Sequence, residues 1–310
     1  MKVSVIVPTY NRAHLVTETI DSILGQTFGD FELIVVDNYS TDNTENVIKS
    51  YTDERIRYFK HKNNGIIAVN RNYGMKKAQG EYIAFCDDDD LYYPEKLQKC
   101  LEIFRQHEDA VLVCHDLQGN YNGKIVMRLS CGPYMEPMYH TLLFKGNRVF
   151  TSATVARRNE LLGVGAFNET PDFFGVEDWD LWMRLAGTGR FCFLNEVLGE
   201  YRIHDISYSS DIEKRLRHRL NVFEHHINQL LPGELKQRKS DIKNARADIF
   251  FGAGWKNLQN GEFSKARNWF MEGIRAHSLG LKSYLGFALA LLRIRPPQRV
   301  INVVKTVIGE

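Results

Sequence analysis

Four consecutive carboxylates, Asp87, Asp88, Asp89 and Asp90, follow the apolar run Tyr82–Cys86 and precede Leu91-Tyr92-Tyr93-Pro94. On an extended backbone alternate side chains share a face, so Asp87 and Asp89 are expected to point one way and Asp88 and Asp90 the other. Acids this close resist joint ionisation unless a cation sits among them. Oxygen-only ligands favour a hard ion, Mg2+ or Mn2+, which takes few protein contacts and borrows the rest from substrate phosphates. Capping of a helix that begins at Pro94 accounts for one acid, Asp90, and four exceed that need. A second acidic island, Glu177-Asp178-Trp179-Asp180 with Trp182 behind it, lies ninety residues further on.

Elements that could hold these groups are visible around them. Short apolar runs at Val3–Pro8, Glu32–Asp37, Ile56–His61, Tyr82–Asp87 and Ala110–His115 read as strands. Between them, His14–Gln26, Asp42–Tyr51, Gly65–Gln79 and Pro94–His107 read as helices. The βαβα alternation predicts an α/β fold with a mostly parallel sheet flanked by helices. Open sheets of this kind bind ligands at the carboxyl ends of their strands, where Thr9 to Arg12, Asp37-Asn38, Asn63-Asn64-Gly65 and Asp87 to Asp90 fall. Neither GxGxxG nor GxxxxGK[ST] is present, so charge on a bound nucleotide must be met in some other way. Residues 116–210 read as irregular, and residues 213–230 and 236–310 as helical. Within the latter, Trp255, Leu258, Gly261, Phe263, Ala266 and Phe270 approximate one tetratricopeptide unit, expected to pack on the body of the protein.

Composition narrows the class further. With 310 residues, 44% hydrophobic and 25% charged, the chain is neither disordered nor fibrous. Five widely spaced cysteines without a CxxC pair indicate neither a zinc site nor a disulfide framework, and fit a cytoplasmic protein. The six-residue apolar run before Pro8 is too short for a signal peptide, and Leu279 to Leu292 is too short to span a bilayer. Residues 1–210 carry 22 Lys+Arg against 29 Asp+Glu, whereas residues 211–310 carry 18 against 9. The basic tail has no aromatic interleaving, which argues against nucleic acid. Its run Leu285–Leu292 followed by Arg293 and Arg295 suits peripheral contact with an anionic membrane, the alternative being burial against the body.

Several motifs together carry a resemblance. Val5-Ile6-Val7-Pro8-Thr9-Tyr10-Asn11-Arg12, Asp37 to Asp42, Asn70-Arg71-Asn72-Tyr73-Gly74, Gly80 to Leu91, Glu177-Asp178 and Tyr201-Arg202-Ile203-His204 stand in the order found in the inverting, nucleotide-sugar glycosyltransferases of family two, which the chain resembles over residues 1–210. The resemblance implies a GT-A fold, Rossmann-like, with residues 211–310 as a helical extension. It also implies a Mn2+ or Mg2+ cofactor, a nucleotide-sugar donor, most simply UDP-linked, and a saccharide or lipid-linked saccharide acceptor. Pro8, Thr9, Tyr10, Asn11, Arg12, Asp37, Arg71, Asp87 and Asp88 would line the donor, with Asp37 accepting from a uracil or thymine imide and Arg71 reaching the base or diphosphate. Asp89 and His204 would hold the metal, the register within Asp87 to Asp90 being open by one.

Asp178 matches the family's catalytic base, with Glu177 and Asp180 as rivals. Glu177, Trp179 and Trp182 would shape the acceptor or sugar pocket, although two tryptophans three apart on a helix read equally well as core. One departure stands out: where the family commonly has Asp-Asp-Gly-Ser, this chain has Asp37-Asn38-Tyr39-Ser40. Two other classes fit parts of the pattern, a nucleotide-sugar-binding protein without catalysis and an interaction scaffold resting on the tail. Cys86 reads as a small core residue, and His225-His226 as a solvated pair.

Overall fold

A computed structural model describes residues 2–132, 135–204 and 211–296. The chain divides into two compact units, residues 1–138 with 148–205, and residues 139–147 with 206–310. The boundary drawn from sequence at residue 210 gave no hint that 139–147 belongs with the second unit.

The first unit opens with β1 (Val3–Thr9), α1 (Ala13–Leu24), β2 (Phe31–Asp37), α2 (Thr44–Lys49), β3 (Ile56–Lys60), α3 (Ile67–Lys77) and β4 (Tyr82–Phe85). Every residue of β1 and β2 is buried, as expected of strands covered on both faces, whose sequences read as unbroken apolar runs. α1 covers the sheet with Val16, Thr19, Ile20 and Ile23, the spacing of a single helical face. β1 pairs in parallel with β2, Val3 opposite Phe31 through Thr9 opposite Asp37, and on its other edge with β4. The chain therefore leaves β1 toward β2 and β3 and returns on the opposite side at β4. That reversal opens a crevice where the carboxyl ends of β1 and β4 lie side by side.

Beyond β4 come β5 (Leu91–Tyr92), α4 (Lys96–Gln106), β6 (Ala110–Tyr121), β7 (Lys124–Leu129), α5 (Met138–Lys145), β8 (Thr154–Arg157), α6 (Arg158–Gly163), α7 (Glu177–Leu185) and β9 (Arg190–Ile203). All nine strands form one sheet in the order β3-β2-β1-β4-β8-β6-β9-β5, with β7 alongside β6. The parallel half matches the sequence expectation, while β8 runs antiparallel to both β4 and β6 and makes the far half mixed. The stretch expected to be irregular contains β9, fourteen residues long and parallel to β6. Polar Asn195 and Glu196 and breaks in the β6 register hide its alternation. At Gly199 a side chain would press on the Leu91 carbonyl at 2.7 Å, so glycine lets β5 approach.

The second unit holds α5 from Tyr139 onward, with α8 (Ile212–Ile227), α9 (Pro232–Gln237), α10 (Lys239–Gln259), α11 (Phe263–Ala276) and α12 (Leu281–Leu291). The repeat-like residues Trp255, Leu258, Ala266 and Phe270 join Phe251 and Ala290 in a core made by α10, α11 and α12 themselves. The turn between α10 and α11 depends on Gly261, whose φ of +79° favours glycine. His226, expected to be solvated, is buried with its ring 3.4 Å from the Tyr139 hydroxyl. No helix among the described residues is long and apolar enough to cross a membrane.

Candidate active site

The four aspartates do not lie on an extended strand. β4 ends at Phe85, and the Asp90 N–H donates to the Asp87 carbonyl at 3.1 Å, closing a turn. Strand alternation therefore does not apply, and each side chain finds a different neighbour. Asp87 meets Arg71 Nη2 at 2.6 Å, and Asp88 accepts from Thr9 Oγ1 at 2.7 Å. Asp89 faces His204 Nε2 at 3.3 Å and Arg12 Nη1 at 3.9 Å. Asp90 accepts the Arg202 N–H at 3.2 Å; it does not cap α4, which starts at Lys96 with no side-chain cap. Burial pushes the Asp88 carboxyl up to about 7 against the Thr9 hydrogen bond, and raises Asp89, where Asp87 adds to the effect.

His204 Nε2 is buried and makes no hydrogen bond among the described residues. An orphaned imidazole nitrogen beside a carboxylate of raised pKa suits a shared cation, and Asp89 with His204 gives the oxygen and nitrogen donors that Mn2+ accepts. No group of three or more His, Cys, Asp or Glu gathers for a metal among the described residues. A two-residue set still fits an ion that completes its shell from a donor diphosphate.

Arg71 occupies a different place from the one expected. It is 4% exposed, and Nη1 donates to Glu177 Oε1 at 2.6 Å while Nη2 donates to Asp87. Burial disfavours the cation, but Asp87 and Glu177 outweigh it and hold the group charged. The guanidinium clamps the acidic turn to the start of α7. The same geometry separates the three candidate bases. Glu177 spends Oε1 on Arg71 and Oε2 on the Gly175 N–H (2.6 Å), so it is pinned and does not line an acceptor pocket. Asp180 is 1% exposed and ion-paired to Arg184 at 2.6 Å. Asp178 is half-buried, with Thr151 Oγ1 donating to Oδ2 at 3.3 Å.

Trp182 is fully buried against Phe85 and Phe167, its indole N–H donating to the Val149 carbonyl at 3.0 Å, and Trp179 is 3% exposed. Both are core, not walls of a sugar pocket. Pro8 is likewise buried inside β1. Asp37 has no exposed surface: Ser40 donates twice to Oδ1 (2.9 and 2.6 Å) and Tyr58 to Oδ2 (2.6 Å). These bonds fix Asp37 against the loop after β2. Tyr10 is 51% exposed at the rim, and Asn11 ties the loop through its N–H to Ser40 Oγ (2.8 Å) and its Oδ1 to the Thr41 N–H (2.8 Å). Tyr39, where the family commonly has glycine, sits at φ +59° with its ring exposed.

The sequence reading gave no role to the groups that brace the turn. Arg202 donates from Nε to the Asp89 carbonyl and from Nη1 to Glu18 (2.7 Å), and Thr19 Oγ1 lies within 3.0 Å of the Asp88 and Asp90 carbonyls. Ser152 Oγ accepts the Asp87 N–H at 3.1 Å, while the fully buried Lys96 holds the Ser152 carbonyl at 2.7 Å beneath it. Burial lowers the Lys96 pKa from 10.5 to about 8. Between those values the folded state binds fewer protons than the unfolded chain, so the Lys96 contribution to stability rises with pH. The stability difference between wild type and Lys96→Met should therefore move toward wild type by about 3 kcal/mol from pH 8 to pH 10.5. Chemical denaturation across that range checks it, and a flat difference contradicts the buried cation.

Known proteins resemble this chain in sequence and in fold. The family described as Glycosyl transferase family 2 matches residues 4–162. The chain is 31% identical over 218 residues to the putative teichuronic acid biosynthesis glycosyltransferase TuaG of Bacillus subtilis, covering 67% of this chain and 82% of that protein. It is 30% identical over 229 residues to the UDP-Glc:alpha-D-GlcNAc-diphosphoundecaprenol beta-1,3-glucosyltransferase WfgD of Escherichia coli, covering 71% and 84%. The mannosyltransferase PcManGT of Pyrobaculum calidifontis, solved with GDP-Man and Mn2+, superposes with a TM-score of 0.63 at 20% identity over 99% of this chain and 84% of that one, which shows the shared GT-A fold. The chain belongs to glycosyl transferase family 2 and is a glycosyltransferase.

Proposed function

We propose that the enzyme is a metal-dependent, inverting transferase that moves a sugar from a UDP-linked donor to an acceptor hydroxyl, in bacterial surface polysaccharide or glycolipid synthesis at the cytoplasmic face of the membrane. The observation that carries this reading is the Arg71 clamp, which ties Asp87 of the acidic turn to Glu177 in the first turn of α7, next in sequence to the half-buried Asp178.

In this reading Asp178 takes the proton of the acceptor hydroxyl as its oxygen attacks the anomeric carbon, and the bond to the nucleoside diphosphate breaks on the opposite face. Glu177 and Asp87, held by one guanidinium, keep the base and the acidic turn at a fixed separation. Asp89 and His204 hold the cation, which when bound offsets charge on the departing diphosphate. Tyr10 and Tyr39 offer exposed rings on the rim for a nucleobase. The name of WfgD supports a UDP-linked donor and a lipid diphosphate acceptor, and that of TuaG supports cell-surface polysaccharide.

The test is product stereochemistry. UDP-glucose carries its sugar α-linked, so with Mn2+ and a short-chain alkyl diphosphate GlcNAc acceptor, NMR of the product should show a β-linkage. An α-linkage overturns inversion, and absence of transfer from every nucleotide sugar overturns the reading.

A further inference from the structure

α12 exposes a strip of large apolar residues opposite its buried face. An amphipathic helix of a water-soluble protein turns its large apolar residues inward. Here the buried positions are the small Ser283, Gly286 and Ala290. A side chain on Gly286 would meet the Phe270 ring at 2.4 Å, and Ser283 fits against Gly273. The helix thus docks through small residues, with Phe287 and Leu289 packed at the edges of the same core, and leaves a strip of large apolar residues on the opposite face. Leu281 is 81% exposed, Leu285 62%, Leu291 57%, Leu292 68% and Tyr284 45%, and these recur at helical spacing on one face. Leu279 and Ile294 extend the exposed strip at either end.

The segment that carries the strip has charges of one sign. Residues 278–296 contain no Asp or Glu. Lys282 is engaged by Asp248; just beyond the last turn of the helix Arg293 is exposed, and Arg295, also exposed, lays its guanidinium over Gly261. At eleven residues α12 cannot span a bilayer but can lie in its surface. The Tyr284 hydroxyl, bonded to the Ser278 carbonyl at 3.0 Å, places an aromatic ring of mixed polarity on the same face.

The geometry points to a membrane-docking face: α12 seats Leu281, Tyr284, Leu285, Leu291 and Leu292 in the acyl boundary of a bilayer, with Arg293 and Arg295 on anionic headgroups. This deepens the proposed function by supplying the surface from which a lipid-linked acceptor is reached, and only its purpose rests on that reading.

The experiment is co-sedimentation of the full chain with large unilamellar vesicles of phosphatidylcholine alone and with phosphatidylglycerol added. Binding should be roughly thirtyfold stronger to the anionic vesicles, from two arginines near the surface, and should weaken at high salt. The triple variant Leu281→Ser, Leu285→Ser, Leu292→Ser should lose binding to both, and Arg293→Gln with Arg295→Gln should lose the preference for phosphatidylglycerol. The melting rise given by UDP-glucose with Mn2+ is read on the triple variant. Its retention with vesicle binding lost supports the docking face, while its absence in wild type counts against the donor reading alone. Vesicle binding unchanged in the triple variant overturns the proposal. So does a wild-type dimer, by analytical ultracentrifugation, that becomes monomeric in the triple variant without any vesicle binding, because the occupant is then a second copy.

Discussion

Asp178→Asn should lower kcat by about 10²–10⁴-fold while the donor KM stays close to wild type, because the change removes a proton acceptor and leaves the donor crevice alone. That loss corresponds to about 3–5 kcal/mol of transition-state stabilisation. The amide keeps the size of the carboxylate, an oxygen for the Trp179 N–H and an NH2 that can donate to the Thr151 hydroxyl, so the effect on folding should be small. Its neighbours separate a base from a structural acid. Asp180→Asn weakens the tie to Arg184, which also donates to the Ala166 carbonyl, and should show first as a lower melting temperature. Steady-state kinetics with donor and acceptor varied separately decide the matter, and a kcat for Asp178→Asn within twofold of wild type removes Asp178 from the mechanism.

Arg71→Met is the second large effect, and it should appear in stability before activity. Arg71 and Glu177 are both about 5% exposed, so deleting the cation strands a buried carboxylate. Breaking such a pair costs about 3–5 kcal/mol, far more than a surface ion pair. A loss of that size should lower the melting temperature of the first unit by roughly 10 °C. Arg71→Lys should recover only part of it, since an ammonium cannot bridge Asp87 and Glu177 as a planar fork does. Combining Arg71→Met with Glu177→Gln removes the stranded charge and should restore much of the stability without restoring turnover. A single Arg71→Met variant that melts with wild type contradicts the clamp.

The two variants mark where local reading of the sequence succeeds and where it ends. The acidic turn was legible because an apolar run that stops at four aspartates has few solutions, and the apolar pattern placed β1, β2 and α1. The side-chain directions were not legible. They follow from the turn between Asp87 and Asp90 and from Arg202, which reaches the Asp89 carbonyl across 113 residues of chain. Arg71 and Glu177 are 106 residues apart, and no local pattern announces a pairing at that range. The partners of Asp37 were not legible for a related reason: they are supplied by Tyr58 on the neighbouring strand and Ser40 in the following loop. For Trp179 and Trp182 the helical spacing already allowed a core reading, and burial decides for it. β9 stayed hidden because its alternation slips where the pairing with β6 breaks register.

The account stands most directly on one measurement, the melting temperature of wild type and Asp89→Ala with UDP-, dTDP-, GDP- and CMP-linked sugars, each with and without Mn2+. A ligand that binds only the folded state raises apparent stability, by about 2.7 kcal/mol at a hundred times its Kd. The prediction is that a UDP-linked sugar raises the melt of wild type in the presence of Mn2+, much less without it, and not in Asp89→Ala. Equal stabilisation with and without Mn2+, or in Asp89→Ala as in wild type, contradicts the metal-assisted donor site.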